Sequence, residues 1–152
     1  MPSEKTVRVG AFVFALFFAF VVALGYMPGL NGQPHVHHAG MQMEPGEHML
    51  MGLYRISLLD DVTHGLSAIL FLVAALHSGR ASRLALTAFG WYYACDAAFF
   101  LINGFIIHKP LVSNVMLNLP HVLISAIMLG MVYWLAPREE QLAAGRPMVA
   151  TA

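Results

Sequence analysis

The feature that most constrains this fold is a near-repeat that introduces two long apolar runs. One copy reads Asp61-Val-Thr-His64 and the other reads Asn118-Leu-Pro-His121. In each copy a polar residue is followed three positions later by a histidine, and then by an apolar stretch without charge. Ionisable groups inside a membrane helix are costly and usually face a bundle interior, a cavity or a bound group. The repeat therefore predicts a membrane bundle with a histidine near the same end of two helices.

The composition also indicates a membrane protein. Of the 152 residues, 59% are hydrophobic and 11% are charged, whereas charged residues make up about a quarter of an ordinary soluble domain. Eight basic and eight acidic residues balance, so the sequence has no basic patch that would indicate nucleic-acid binding. Cys95 is the single cysteine, which excludes an intramolecular disulfide.

Four stretches are long enough to cross the hydrocarbon core, which takes roughly 20 apolar residues. They cover about 7–27, 56–77, 84–105 and 117–135. We therefore predict an all-α membrane protein, with residues 1–152 forming a single domain of four transmembrane helices. Pro120 falls in the predicted first turn of the fourth helix, where a proline is well tolerated. Short connections favour antiparallel neighbours and an up-down bundle. The first run is longer than the apolar part of a signal peptide, so we expect a retained helix.

The distribution of basic residues predicts the orientation of the helices, because cytoplasmic loops carry an excess of lysine and arginine. Six basic residues fall on one predicted side: Lys5, Arg8, Arg80, Arg83, Arg138 and Arg146. Only Arg55 and Lys109 fall on the other. We therefore expect both termini to face the cytoplasm of a bacterium. The chain would lie in the inner membrane, with loop 28–55 in the periplasm or outside the cell.

The outer loop 28–55 is rich in histidine and methionine. Its candidate ligands are His35, His37, His38, Met41, Met43, His48, Met49 and Met51. Imidazole suits copper, zinc and nickel, while the soft thioether selects Cu(I). Alternating methionines at 49 and 51 would place two thioethers on one side of an extended chain. The tract predicts a transition-metal site with copper favoured over zinc, and the alternative is an exposed polar loop.

Carboxylates beside His64 allow two interpretations. Asp60 and Asp61 precede this histidine by four and three residues, so they share a helix face with it. They could orient the imidazole at a metal site, or they could cap the start of the second helix. Asn118 is a plausible N-cap for the fourth helix. If the two copies of the motif are related by duplication, His64 and His121 could face one another across the bundle. Asp96, near the middle of the third span, indicates either proton or ion passage or a hydrogen bond to another helix.

The stretch Gly52–Ala68 and the motif of Asn118 and His121 resemble a group of small bacterial four-helix membrane proteins of unknown function. In that group an Asn/Asp-x-x-His motif opens the second and fourth helices. The resemblance covers Gly10 to Leu135. It implies fold and topology, because the group has no assigned activity. The histidine and methionine content of the outer loop exceeds what the pattern requires.

Three functions fit the sequence. The first is a non-enzymatic membrane protein that binds copper on its outer face, with an inner site that includes Asp60, Asp61, His64 and His121. The second is an accessory subunit of a respiratory, photosynthetic or oxygenase complex, in which the histidines are structural and the partners are membrane subunits or further copies of the chain. The third is a b-type haem or quinone-linked electron carrier, with the haem held by His64 and His121. We find no nucleophile–base pattern or phosphate-binding loop, so the sequence does not predict an enzyme.

Overall fold

The structure is a computed structural model that describes residues 4–27, 47–51 and 54–135, with the backbone alone for Leu135. Its elements are α1 (Glu4–Tyr26), β1 (His48–Leu50), β2 (Tyr54–Ile56), α2 (Leu58–His77), α3 (Gly79–Ile106), α4 (Leu111–Gly130) and a π-helical continuation of α4 over Met131–Leu135. Four of these helices are long and apolar enough to cross a membrane. The predicted fold class, a helical membrane protein with four spans, is confirmed.

The described contacts divide the chain into two compact units. One comprises Met1–Ala11 with Val73–Ala152, and the other comprises Phe12–Leu72. In the first unit α3 packs on α4 as an antiparallel pair. The direction follows from the contacts, since the end of α3 meets the start of α4 and Trp91 near the middle of α3 donates to the hydroxyl of Tyr133 at 3.2 Å.

The start of α4 differs from the prediction. We predicted a helix from Leu117 with Asn118 as its cap and Pro120 in its first turn, but α4 begins at Leu111 and contains both residues in its interior. The reason lies in the asparagine amides. Asn114 donates to the carbonyl of Leu101 in α3 at 2.9 Å, and Asn118 donates to the carbonyl of Asn114 at 2.8 Å. Their polar groups are satisfied inside the helix pair, so they do not end the helix.

The corner between α2 and α3 is held by the first turns of α1. Only Ser78 separates the two helices, and its hydroxyl accepts from the N–H of Ala81 at 3.1 Å. Arg8 donates to the carbonyl of Ala75 at 2.8 Å, and Glu4 accepts from the N–H of Gly79 at 2.8 Å. A cation therefore meets the carbonyl end of α2 and an anion meets the N–H end of α3, as the helix dipoles favour. The third span begins at Gly79 rather than Leu84 because of this cap.

Aromatic side chains form the core of the second unit. The ring of Phe18 lies 5.9 Å from that of Phe71 and 5.8 Å from that of His64. Phe14 also contacts Phe71, at 5.8 Å between ring centroids. Tyr26, at the end of α1, bonds to Asp61, near the start of α2. The two helices therefore run antiparallel within the unit.

A short hairpin precedes α2 and lies against the end of α1. This hairpin was not predicted from the sequence. Strands β1 and β2 pair antiparallel, with His48 opposite Ile56 and Leu50 opposite Tyr54. Arg55 forms an ion pair with Glu47 beside the hairpin. The hairpin brings the last part of the predicted outer loop back to the start of α2, which begins at Leu58 rather than Ile56.

Substitution of Gly104 by alanine tests the close packing of α3 on α4. An added Cβ would overlap the side-chain amide of Asn114, which is buried and bonded to Leu101. We expect Gly104→Ala to lower the free energy of unfolding by about 1–3 kcal/mol, as overpacking does. Thermal unfolding in detergent or titration with a denaturing detergent measures the change.

Gly65→Ala is the matched control in α2. Among the described residues, no atom outside the neighbouring residues and backbone of α2 lies within 4 Å of a Cβ added at this position. The substitution therefore removes only the conformational freedom of a helical glycine. We expect it to raise the free energy of unfolding by about 0.5–1 kcal/mol. Equal effects of the two substitutions would contradict the described packing of Gly104.

Candidate functional site

A polar cluster of Tyr26, His48 and Asp61 lies where α1, the hairpin and α2 meet. We call it the hairpin cluster. The hydroxyl of Tyr26 donates to Oδ2 of Asp61 at 2.7 Å, and Nε2 of His48 lies 3.7 Å from the same oxygen. Asp61 is 7% exposed and the side chain of His48 is 16% exposed. A carboxylate and an imidazole from two separate elements therefore converge in a nearly buried setting.

Packing against α1 fixes the position of the His48 ring. The ring lies against the backbone of Gly25, where any Cβ would overlap Nε2. Its centroid is 5.2 Å from that of Tyr26. Nε2 of His48 is buried and makes no hydrogen bond within the described part of the chain. Buried polar atoms normally have a partner, so this nitrogen is the atom of the cluster that lacks a hydrogen bond among the described residues.

Asp60 has the capping role that the sequence allowed. Its Oδ2 accepts from the N–H of Ser57 at 2.8 Å, and the hydroxyl of Ser57 accepts from the N–H of Asp60 at 3.3 Å. These reciprocal bonds form a capping box at the start of α2. The Asp60 carboxylate is thus used by the helix terminus, and the carboxylate of Asp61 by Tyr26. Orientation of His64 by either carboxylate stays a prediction.

The two histidines of the near-repeat do not occupy equivalent places in their helices. His64 is in the second turn of α2 and stacks on Phe18, with 19° between the ring planes. His121 lies ten residues after the first residue of α4, near the middle of that span. The earlier start of α4 accounts for the difference. The histidines belong to different compact units, and a shared metal or haem between them stays a prediction.

Asp96 is the partner of His121, which the sequence analysis did not identify. Nδ1 of His121 lies 2.6 Å from Oδ2 of Asp96, and the ring of Tyr93 lies 5.3 Å from the imidazole. A signal for this pair is present in the sequence. Asp96 and His121 are equally far from the middle of the connection 107–110, so an antiparallel pair places them at one level. The interpretation of Asp96 as a contact to another helix agrees with this geometry.

The methionines of the hairpin differ in their surroundings. Met49 is 3% exposed, whereas Met51 is 53% exposed and has a positive φ of 53° in the turn. The extended strand ends at Leu50, so the alternation that would pair the two thioethers does not continue to Met51. The remaining loop candidates lie outside the described residues: His35, His37, His38, Met41 and Met43.

Within the ranges that the structure describes, no three histidine, cysteine, aspartate or glutamate side chains come together as a metal site. The hairpin cluster supplies two such side chains together with the Tyr26 hydroxyl. Sequence reasoning selected His48 and Asp61 separately and missed Tyr26, because a tyrosine at a helix end is usually an interface residue. No family model, curated protein or solved structure matches the chain.

Substitution of Asp96 tests the pair with His121. Asp96→Ala removes the acceptor of an interhelical contact, which in a membrane contributes roughly 0.5–2 kcal/mol. We expect the free energy of unfolding to fall by that amount, and Asp96→Asn to have a smaller effect because its amide oxygen still accepts. Cys95→Ala, at an exposed neighbouring position, serves as the control. Equal stability of Asp96→Ala and Cys95→Ala would contradict the pair.

Proposed function

We propose that this protein is a non-enzymatic integral membrane protein that binds a transition metal, copper above zinc, on its outer face. His48 and Asp61 would be two of its protein ligands. The observation that carries the proposal is the buried Nε2 of His48, which has no hydrogen bond in the described structure and lies 3.7 Å from a carboxylate oxygen. Nε2 of a neutral imidazole is a common metal ligand.

The spacing of these two atoms suits ligands of one ion. Nitrogen and oxygen ligands lie about 2.0–2.2 Å from such a metal, and tetrahedral angles then place two ligands roughly 3.4 Å apart. The observed 3.7 Å separation is near that value. The two atoms would supply two of the ligands of the ion. The ion would also stabilise the buried Asp61 carboxylate, because opposite charge offsets the loss of solvation.

Tyr26 supports the role of Asp61 as a ligand. A hydrogen bond from an outer group orients a ligating carboxylate, and loss of such a group typically weakens metal affinity by about 10–100-fold. The Tyr26 hydroxyl donates to Oδ2, and a carboxylate oxygen retains a second lone pair for an ion. The three residues of the hairpin cluster therefore have distinct tasks: His48 and Asp61 ligate, and Tyr26 positions Asp61.

The loop that precedes the hairpin is the source of the remaining ligands. Its sequence combines imidazoles at His35, His37 and His38 with thioethers at Met41 and Met43. This mixture favours copper, because thioethers select Cu(I) and imidazoles bind Cu(II). The excess of basic residues on the opposite side supports a position of this loop in the periplasm or outside the cell. The protein would then collect copper at the outer surface of a bacterial inner membrane.

Metal content and affinity test the proposal directly. Protein purified in mild detergent without chelator or a histidine tag is titrated with copper, and bound metal is measured by elemental analysis. We expect binding close to stoichiometric with the chain, and affinity at least about tenfold weaker in His48→Asn and in Asp61→Asn. His108→Asn is the matched control, since it changes an exposed histidine in a loop and asparagine tolerates the positive φ of 58° there.

Two results would contradict the metal proposal. Wild-type protein that binds no copper or zinc would reject it entirely. Wild-type binding that survives unchanged in His48→Asn and Asp61→Asn would reject the hairpin cluster as the site. Deletion of residues 35–46 then tests whether the loop alone holds the metal. In that case binding would be lost in the deletion and retained in both substitutions.

An accessory subunit of a larger membrane complex is the second candidate, and the Asp96–His121 pair favours it. A histidine bonded to a carboxylate of the neighbouring helix has a structural task that needs no metal. Under this proposal partner membrane subunits, or further copies of the chain, cover the lipid-facing helices. Stoichiometric partner chains after mild solubilisation would support it. A lone monomer that binds copper would reject it in favour of the first.

A further inference from the structure

The Asp96–His121 pair lies deep in the membrane and has no task in the proposed metal site. Asp96 is ten residues from the end of α3, and His121 is ten residues from the start of α4. At a rise of 1.5 Å per residue, each lies about 15 Å from the helix end, which is half the thickness of the hydrocarbon core. Ionisable residues at that depth are therefore candidates for a functional site.

The low dielectric at this depth constrains the protons of the pair. A net charge there is costly, so we expect the pair to carry no net charge as a unit. Neutrality requires two protons on the pair. One proton lies between Nδ1 of His121 and Oδ2 of Asp96, which are 2.6 Å apart. The unit has no net charge whichever of the two atoms carries this proton. The other proton is on Nε2. His121 therefore presents an N–H donor on the side of the ring away from Asp96.

The surroundings of this donor combine partial access with flat aromatic surfaces. The side chain of His121 is 33% exposed. Tyr93 packs against the imidazole, and its ring lies 5.2 Å from that of the exposed Tyr92. Phe99 and Phe100 are also exposed on α3 near Asp96. An apolar ring that enters from the bilayer would meet aromatic side chains and the N–H of His121.

We propose that the Asp96–His121 pair binds a membrane-soluble quinone, with a ring carbonyl accepting the hydrogen bond from Nε2 of His121. The ester carbonyls of lipids fit this depth poorly, because they lie near the interface, about 15 Å away. A quinone carries its carbonyls on an apolar ring, which enters the hydrocarbon core. The proposal concerns binding and includes no electron transfer.

Two isosteric substitutions separate binding from folding. In His121→Asn the amide reaches the position of Nδ1, so it keeps a partner for Asp96 and loses the donor at the ε position. In His121→Gln the amide reaches the position of Nε2 and keeps that donor. Thermal unfolding verifies that each variant is folded. His77→Asn, which changes an exposed histidine at the end of α2, is the control.

Calorimetric titration with decylubiquinone in lipid nanodiscs measures the affinity, with empty nanodiscs subtracted to remove partition into lipid. We expect saturable binding in the wild type and in His77→Asn. One hydrogen bond contributes about a factor of ten at most when it is neutral, so His121→Asn should bind several-fold to tenfold more weakly. His121→Gln should retain more of the affinity than His121→Asn.

Nitrogen NMR of labelled histidine supplies a second measurement that a purely structural role would not affect. We expect a directly bonded proton on Nε2 of His121 and a saturable shift of its resonance with decylubiquinone. Absence of that proton, or of binding above that of empty nanodiscs, would overturn the proposal. Equal affinity in His121→Asn and the wild type would also overturn it. These outcomes are independent of whether copper binds at the hairpin cluster.

Discussion

Every polar side chain placed inside an apolar helix needs a partner, and this constraint organises the protein. Without water in the hydrocarbon core, an unsatisfied amide or charge costs several kcal/mol. Asn114 and Asn118 meet the requirement by bonding to backbone carbonyls of α3 and α4. Arg8 meets it at the carbonyl end of α2. Such bonds specify which helix faces meet, because apolar side chains alone would pack in many registers or remain in lipid.

The same constraint separates two kinds of functional candidate. At mid-span, Asp96 and His121 satisfy each other and leave one ring nitrogen for a further partner. In the hairpin cluster, Tyr26 satisfies Asp61, whereas Nε2 of His48 is buried without a hydrogen bond among the described residues. We propose a neutral hydrogen-bond acceptor as the ligand of the first site and a metal cation as the ligand of the second. Each follows from the chemistry of the atom that is left to bind.

The spans could be predicted from the sequence, since length and hydropathy alone identify a membrane helix. The start of α4 could not, because Asn114, Asn118 and Pro120 locally resemble the end of a loop. Their acceptance in a helix depends on carbonyls of α3 and on neighbouring turns, which are tertiary contacts. The near-repeat suggested equivalent positions for His64 and His121 because it, too, reflects only the local sequence and not these tertiary contacts. Once the helix start moves to Leu111, His121 reaches the level of Asp96.

His48 and Asp61 could be selected by residue type, but their convergence required the hairpin, which periodicity in a short segment does not reveal. X-ray absorption at the copper edge tests this site most directly. The account predicts nitrogen ligands with imidazole scattering, oxygen from Asp61 and sulfur from the loop methionines in the copper-loaded protein. The imidazole contribution is expected to be reduced in His48→Asn. A spectrum that is identical in the wild type and His48→Asn would contradict the assignment of the hairpin cluster as the metal site.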